Sequence, residues 1–187
     1  MQLFVKFWQP QRLIAILLLA IVYYQAANMC RFLASTPQDI TPVWFPDGIA
    51  SATVILLGYW ILPGVFIGSF LSNFSAFINY HNIWSFIISI LAISGIALGT
   101  TLGTFIGAFL LRKYVKNINI LEKPLNVFKF LGFTGLLAPL INASFGVTSL
   151  LISSKITLNQ YLISWFIWYV SNVAGIFTLT PFIITGY

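Results

Sequence analysis

The amino-acid sequence predicts an all-α, polytopic integral membrane helix bundle of about six transmembrane helices, two of them short and joined as a hairpin. Three observations predict it. Hydrophobic residues make up 59% of the 187 positions and charged residues 6%, against a soluble average of about 25% charged. From Gly48 to Leu111 there is no Lys, Arg, Asp or Glu, more uncharged surface than a globular domain can hide. Arg112, Lys113, Lys116, Lys123 and Lys129 then crowd into one connection, which marks it as cytoplasmic. The spans fall near residues 13–33, 47–61, 63–77, 83–111, 125–152 and 158–184, in a single membrane-embedded domain over 1–187 with no linker between soluble parts.

The first span follows Lys6 and Arg12 and runs from Leu13 to Leu33. It has the form of a signal sequence but is long enough to cross. Ala26-Ala27 makes a poor cleavage site before Asn28, Met29, Cys30 and Arg31, so an uncleaved helix starting in the cytoplasm is expected. Next comes Thr41–Asn73, with Pro42, Pro46, Asp47-Gly48, Gly58 and Pro63-Gly64. As one helix, Asp47–Phe77 would reach roughly 46 Å, beyond a hydrocarbon core of about 30 Å. Pro63 disfavours helical geometry at Leu62, which predicts a turn near Trp60–Gly64. Charge decides between a hairpin and one kinked helix, because only a hairpin keeps the basic connection inside.

Ser75–Asn82 is a polar break carrying His81, and the fourth span follows with Gly95, Gly99, Gly103 and Gly107 at four-residue spacing. Such a row lets another helix backbone come close; its two readings are packing within the bundle and self-association. After the Glu122-Lys123-Pro124 turn, the fifth span is interrupted by Pro139 and Gly146, with Asn142 and Ser144 between them. A structural kink and a broken-helix binding site both fit that pattern. In the sixth span Tyr161, Trp165, Trp168, Asn172, Gly175 and Leu179 share one face, whose upper aromatics fit an interfacial belt. Both termini are expected inside, with Lys6, Arg12, Arg112, Lys113, Lys116, Lys123 and Lys129; Arg31 and Lys155 are left outside.

Chemistry is scarce along this chain. The net charge of +6 is topogenic rather than a nucleic-acid surface, since no basic stretch is interleaved with aromatics for base stacking. Cys30 stands alone and His81 is the single histidine, which excludes an internal disulfide and a protein-only metal site. His81 reads as a solvated residue of an outer connection. No nucleotide-binding loop, kinase histidine box or cyclase signature is present, so no catalytic residue, metal or cofactor is expected and the chain is not an enzyme. Asp47 and Glu122 belong to opposite sides and cannot pair. Asp47 itself has two compatible readings. As an N-cap it would accept from orphan N–H groups; as a contact residue at the outer membrane edge it would meet a ligand, an ion or a partner helix.

Three stretches carry a resemblance: Trp44-Phe45-Pro46-Asp47-Gly48-Ile49-Ala50 with Leu56–Tyr59 and Pro63–Asn73, then Ala143–Leu150, then Trp168–Gly175 with Thr180-Pro181. In order and spacing they cover nearly the whole chain, which resembles the first class of bacterial membrane-associated sensor (MASE) domain. That resemblance implies the input half of a sensor histidine kinase or diguanylate cyclase. The chain departs from the family at Phe45 and Asp47, where the family often has proline and a small residue. Ser171-Asn172 stands where the family has Gly-Asp, an amide that can still hydrogen-bond. Family domains continue into further spans and an output module, so a sensor domain standing alone or cut short is expected.

The function expected is therefore a non-enzymatic signal-input domain in the bacterial inner membrane. A ligand or partner would engage Trp44, Pro46, Asp47, Gly48, Trp165, Trp168 and Asn172, and the disturbance would pass along Gly95, Gly99, Gly103 and Gly107. The partners implied are the lipid bilayer, a cytoplasmic kinase or cyclase, a membrane protein or a second copy in a homodimer. A small transporter or transporter subunit is the alternative, suggested by the interrupted helices and by Asn142 and Asn172; an assembly subunit acting through the glycine face is a third reading.

Overall fold

The computed structural model describes residues 10–32, 41–115 and 122–186. Lys6 and Lys116, which the charge argument sets inside, and Leu33, the end of the first expected span, lie outside the described residues. Within them the elements are α1 (Pro10–Phe32), α2 (Phe45–Leu57), a 3-10 turn (Tyr59–Ile61), α3 (Leu62–Phe77), α4 (Ile83–Tyr114), α5 (Pro124–Ile152) and α6 (Leu158–Thr185). Five spans are long and apolar enough to cross a membrane, α3 counting only together with the 3-10 turn before it (Tyr59–Phe77); α2, with 13 residues, is shorter.

Caps set several ends. The Asn82 side chain accepts from Ser85 N at 2.8 Å and starts α4. Thr157 and Gln160 form a capping box at α6. Arg112 and Lys113 close α4, where cations meet the negative helix end, and Lys129 Nζ donates to Tyr114 O at 2.9 Å.

The turn after α2 falls earlier than the sequence suggests. It is made at Gly58, with φ 101°, a region only glycine enters without strain. Pro63 sits in the first turn of α3, where its missing donor costs nothing. A second departure concerns α5. Pro139 and Gly146 do not break it: the irregularity lies one turn earlier, as a π-helical stretch over Leu131–Leu137. Widening the helix there absorbs the hydrogen bond that Pro139 cannot donate, and Gly146 stays helical against the Trp168 ring.

Helix directions follow from the packing. Gly64 lies on Ile16 and Gly68 on Tyr23, so α3 runs with α1. Gly95, Gly99, Gly103 and Gly107 of α4 meet Ser149, Phe145, Ala138 and Phe133 of α5 in reverse order. These backbones approach closely because glycine leaves room; a Cβ at Gly103 would stand 2.5 Å from Ala138 O. The helices therefore alternate in direction, and Pro10 and Thr185 share one end. α1, α3, α4, α5 and α6 succeed one another around the bundle, while α2 is walled by α1, α4 and α6. Its Ala50, Ala52 and Val54 are fully buried. The outward faces are apolar, with Ile14, Leu18, Leu91, Leu162 and Phe166 more than half exposed, the expected dress of a lipid-facing surface.

The interior is divided along its axis. At the end holding Arg12 and Arg112, a dry core gathers Ile16, Val54, Ile61, Val65, Leu111 and Phe130. The opposite half, toward Arg31 and Lys155, is polar inside.

Candidate functional site

Asp47 lies at the third position of α2 and is 3% exposed. The helix begins at Phe45 with Trp44 as its N-cap residue, and no side chain caps it. Asp47 is thus not a cap but a contact residue, and what it meets is two partner helices inside the bundle. Its carboxylate is turned into the bundle: Tyr23 Oη donates to Oδ1 at 3.0 Å and Asn142 Nδ2 donates to Oδ2 at 2.6 Å. Both partners are uncharged, and each carboxyl oxygen has one hydrogen-bond donor, as a buried polar group requires.

From Asp47 the hydrogen bonds continue both ways. On one side, Trp44 Nε1 donates to Tyr23 Oη at 3.4 Å. On the other, Thr100 Oγ1 donates to Asn142 Oδ1 at 3.2 Å and Ser69 Oγ to Thr100 Oγ1 at 3.3 Å. Asn73 Nδ2 then donates to Ser69 O at 2.8 Å. The chain of contacts joins α1, α2, α3, α4 and α5 around one carboxylate, every member buried except the half-buried Trp44. Such a network rigidifies a core when complete and is costly when a member is lost.

α6 is tied to the same region through backbone groups. Trp44 N donates to Ser171 O at 2.9 Å, Ser171 Oγ to Thr41 O at 2.6 Å, and Thr180 Oγ1 to Gly48 O at 2.9 Å. Gly48 and Gly175 make the crossing: a Cβ on Gly48 would meet Gly175 O, and one on Gly175 would meet Trp44 O.

Above this layer, toward Arg31 and Lys155, lies a cavity of about 300 Å³. Trp44 and Asn73, the two ends of the hydrogen-bonded chain, both line it, together with Trp168, Ser171 and Asn172. Asn172 is 1% exposed and its Nδ2 has no hydrogen-bond partner.

Of the residues singled out in the sequence, Trp44, Trp168 and Asn172 therefore meet at the cavity, with Asp47 beneath it. Pro46 and Gly48 are buried in the first turn of α2 and do not line the cavity. Trp165 stands apart: it stacks on Tyr169 and its Nε1 donates to Ser144 Oγ at 3.1 Å. Sequence reasoning overlooked Tyr23, Ser69, Asn73 and Thr100. Ser69 and Asn73 recur four residues apart in an apolar helix, a polar stripe that was there to be read. Tyr23 alone gives no signal, since a tyrosine near a span's end reads as an interfacial anchor. No cluster of His, Cys, Asp or Glu able to hold a metal occurs among the described residues.

In comparison with protein families, the MASE1 model matches residues 13–185. Searches of curated proteins and of solved structures return no match.

Proposed function

The chain belongs to the MASE1 family of membrane-associated sensor domains, and from that premise we propose that it is the input half of a signalling protein whose output is a histidine kinase or a diguanylate cyclase. A membrane sensory input domain is what the family is; it supplies no catalytic group of its own. The observation that carries a mechanism is the coincidence of cavity and network. Trp44 and Asn73 are at once walls of the cavity and the ends of the chain through Asp47.

An event in the cavity thus acts directly on hydrogen bonds that set how five helices pack. α6 carries the change from the cavity to the opposite, basic end, and the α4–α5 glycine seam lets those two helices shift as a pair. A ligand shifts this packing only as far as it binds the two arrangements differently. By the excess of Arg12, Arg112, Lys113 and Lys129 at one end, that end faces the cytoplasm and the cavity faces outward. The transporter alternative loses its main support, because α5 is helical through Pro139 and Gly146.

The test is a fusion of this chain to a diguanylate cyclase module. Asp47→Asn and Trp44→Ala should each change cyclic dinucleotide output severalfold while the protein stays inserted. Output unchanged by both substitutions would overturn the assignment of the network to signalling.

A further inference from the structure

Three side chains on the cavity wall are nearly sealed from solvent yet keep hydrogen-bonding capacity that the protein does not use. Asn73, Ser164 and Asn172 all line the cavity and are no more than 4% exposed. Asn172 Nδ2 has no hydrogen-bond partner, and Ser164 Oγ makes no hydrogen bond. Asn73 commits its Nδ2 to Ser69 O at 2.8 Å, which leaves Oδ1 as the unmatched atom. A buried polar group without a partner is costly. Three of them around one space of about 300 Å³ mark a place where a small molecule completes the structure.

Asn73 decides the character of that molecule. Its unmatched atom is a carbonyl oxygen, fixed in that role by the bond from Nδ2, so the ligand must bring an N–H or O–H. A carboxylate or phosphate oxygen cannot serve there. No acidic side chain occurs among the described lining residues, so an ammonium donor would find no counter-charge. A neutral donor remains. The Asn172 amide, turned either way, can meet an acceptor on the same molecule, and the Ser164 hydroxyl can meet either kind of group. Phe77, Leu150 and Trp168 supply apolar wall, suited to a flat ring.

We propose that this cavity binds a small uncharged aromatic molecule carrying at least one hydrogen-bond donor and one acceptor, the donor meeting Asn73 Oδ1 and the acceptor the Asn172 amide. This deepens the sensor reading by naming the class of its stimulus, and it rests on that reading only for its purpose, not for the binding itself.

The test uses the whole chain in phosphatidylcholine nanodiscs, with saturation-transfer NMR referenced to empty discs. The probes are 4-hydroxybenzamide, its donor-free analogue 4-methoxy-N,N-dimethylbenzamide, and the anion 4-methoxybenzoate. Saturable binding of 4-hydroxybenzamide is expected, with the other two at least about tenfold weaker, the ratio expected when one buried acceptor is left unmet. In Asn73→Ala the gap between the two amides should close, which separates the lost donor from the added methyl groups. Asn172→Leu removes no hydrogen bond of that side chain within the protein. It should hold or raise the unfolding midpoint while weakening 4-hydroxybenzamide about tenfold, so it decides the matter even if Asn73→Ala fails to fold. No saturable binding of 4-hydroxybenzamide, 4-methoxybenzoate binding as tightly, or affinities indifferent to both substitutions overturns the proposal. Because no output domain enters this measurement, its failure leaves the fusion experiment free to succeed, and the reverse.

Discussion

Asp47 gathers donors from two other helices, and its worth lies in what its loss would strand. A single interhelical hydrogen bond in a membrane contributes only about 0.6 kcal/mol on average, because the unfolded chain finds other partners. Removing the carboxylate, however, leaves Tyr23 Oη and Asn142 Nδ2 without their acceptor at once. Asp47→Ala should therefore destabilise the bundle by about 2–3 kcal/mol, since each stranded donor costs about 1–3 kcal/mol. Asp47→Asn can accept from Asn142 and donate to the Tyr23 hydroxyl, so about 1 kcal/mol is expected for it. Unfolding in mixed micelles, followed by tryptophan fluorescence, measures both. A smaller loss for alanine than for asparagine would mean that Asp47 is a burden the fold tolerates rather than a tie. Of this residue the sequence disclosed its rarity and its place in the motif. Its partners were hidden because Asn142 lies in another helix far along the chain, and only the bundle's geometry brings the two together.

Among the elements, α2 and α6 cross backbone against backbone. At Gly175 a Cβ would run into the backbone at Trp44, and backbone cannot rotate away as a side chain can. Gly175→Ala should push the helices apart at a cost of about 3 kcal/mol. Gly132, by contrast, has nothing within 4 Å of its virtual Cβ, and Gly132→Ala should leave stability unchanged or raise it by up to about 1 kcal/mol. The same micelle titration compares the pair, and equal effects would contradict a backbone crossing at Gly175. Prolines were the less faithful guides here. Pro63 and Pro139 both suggested breaks, yet one occupies a first turn where no donor is needed and the other is absorbed by a π-helical turn. Gly58 made the reversal instead, because what the chain required was a positive φ.

For the molecule as a whole, six helices, their alternation and their lipid-facing surfaces were legible because a bilayer imposes length and apolarity on every span. The cavity was not, since it is built from α1, α3, the end of α5, α6 and the segments before α2 and α6, and no periodicity within one helix reports on a space between several. Orientation has a direct check. In a Cys30→Ala background, a cysteine at His81 should react with an impermeant maleimide in intact cells, while cysteines at Lys113 or Leu125 should react only after permeabilisation. The opposite pattern would place the cavity on the cytoplasmic side.

The brevity of α2 bears on how such a protein is made. Thirteen residues extend about 20 Å, too little for a hydrocarbon layer of about 30 Å, and the helix carries a carboxylate whose transfer into lipid costs about 3 kcal/mol. It cannot leave the insertion machinery for the bilayer by itself. Its walls come from α1, synthesised before it, and from α4 and α6, synthesised after. The helix at the centre of the molecule must therefore wait near the translocation channel until α6 has emerged. Closure around α2 is then a concerted step that follows the arrival of α6, not a helix-by-helix release.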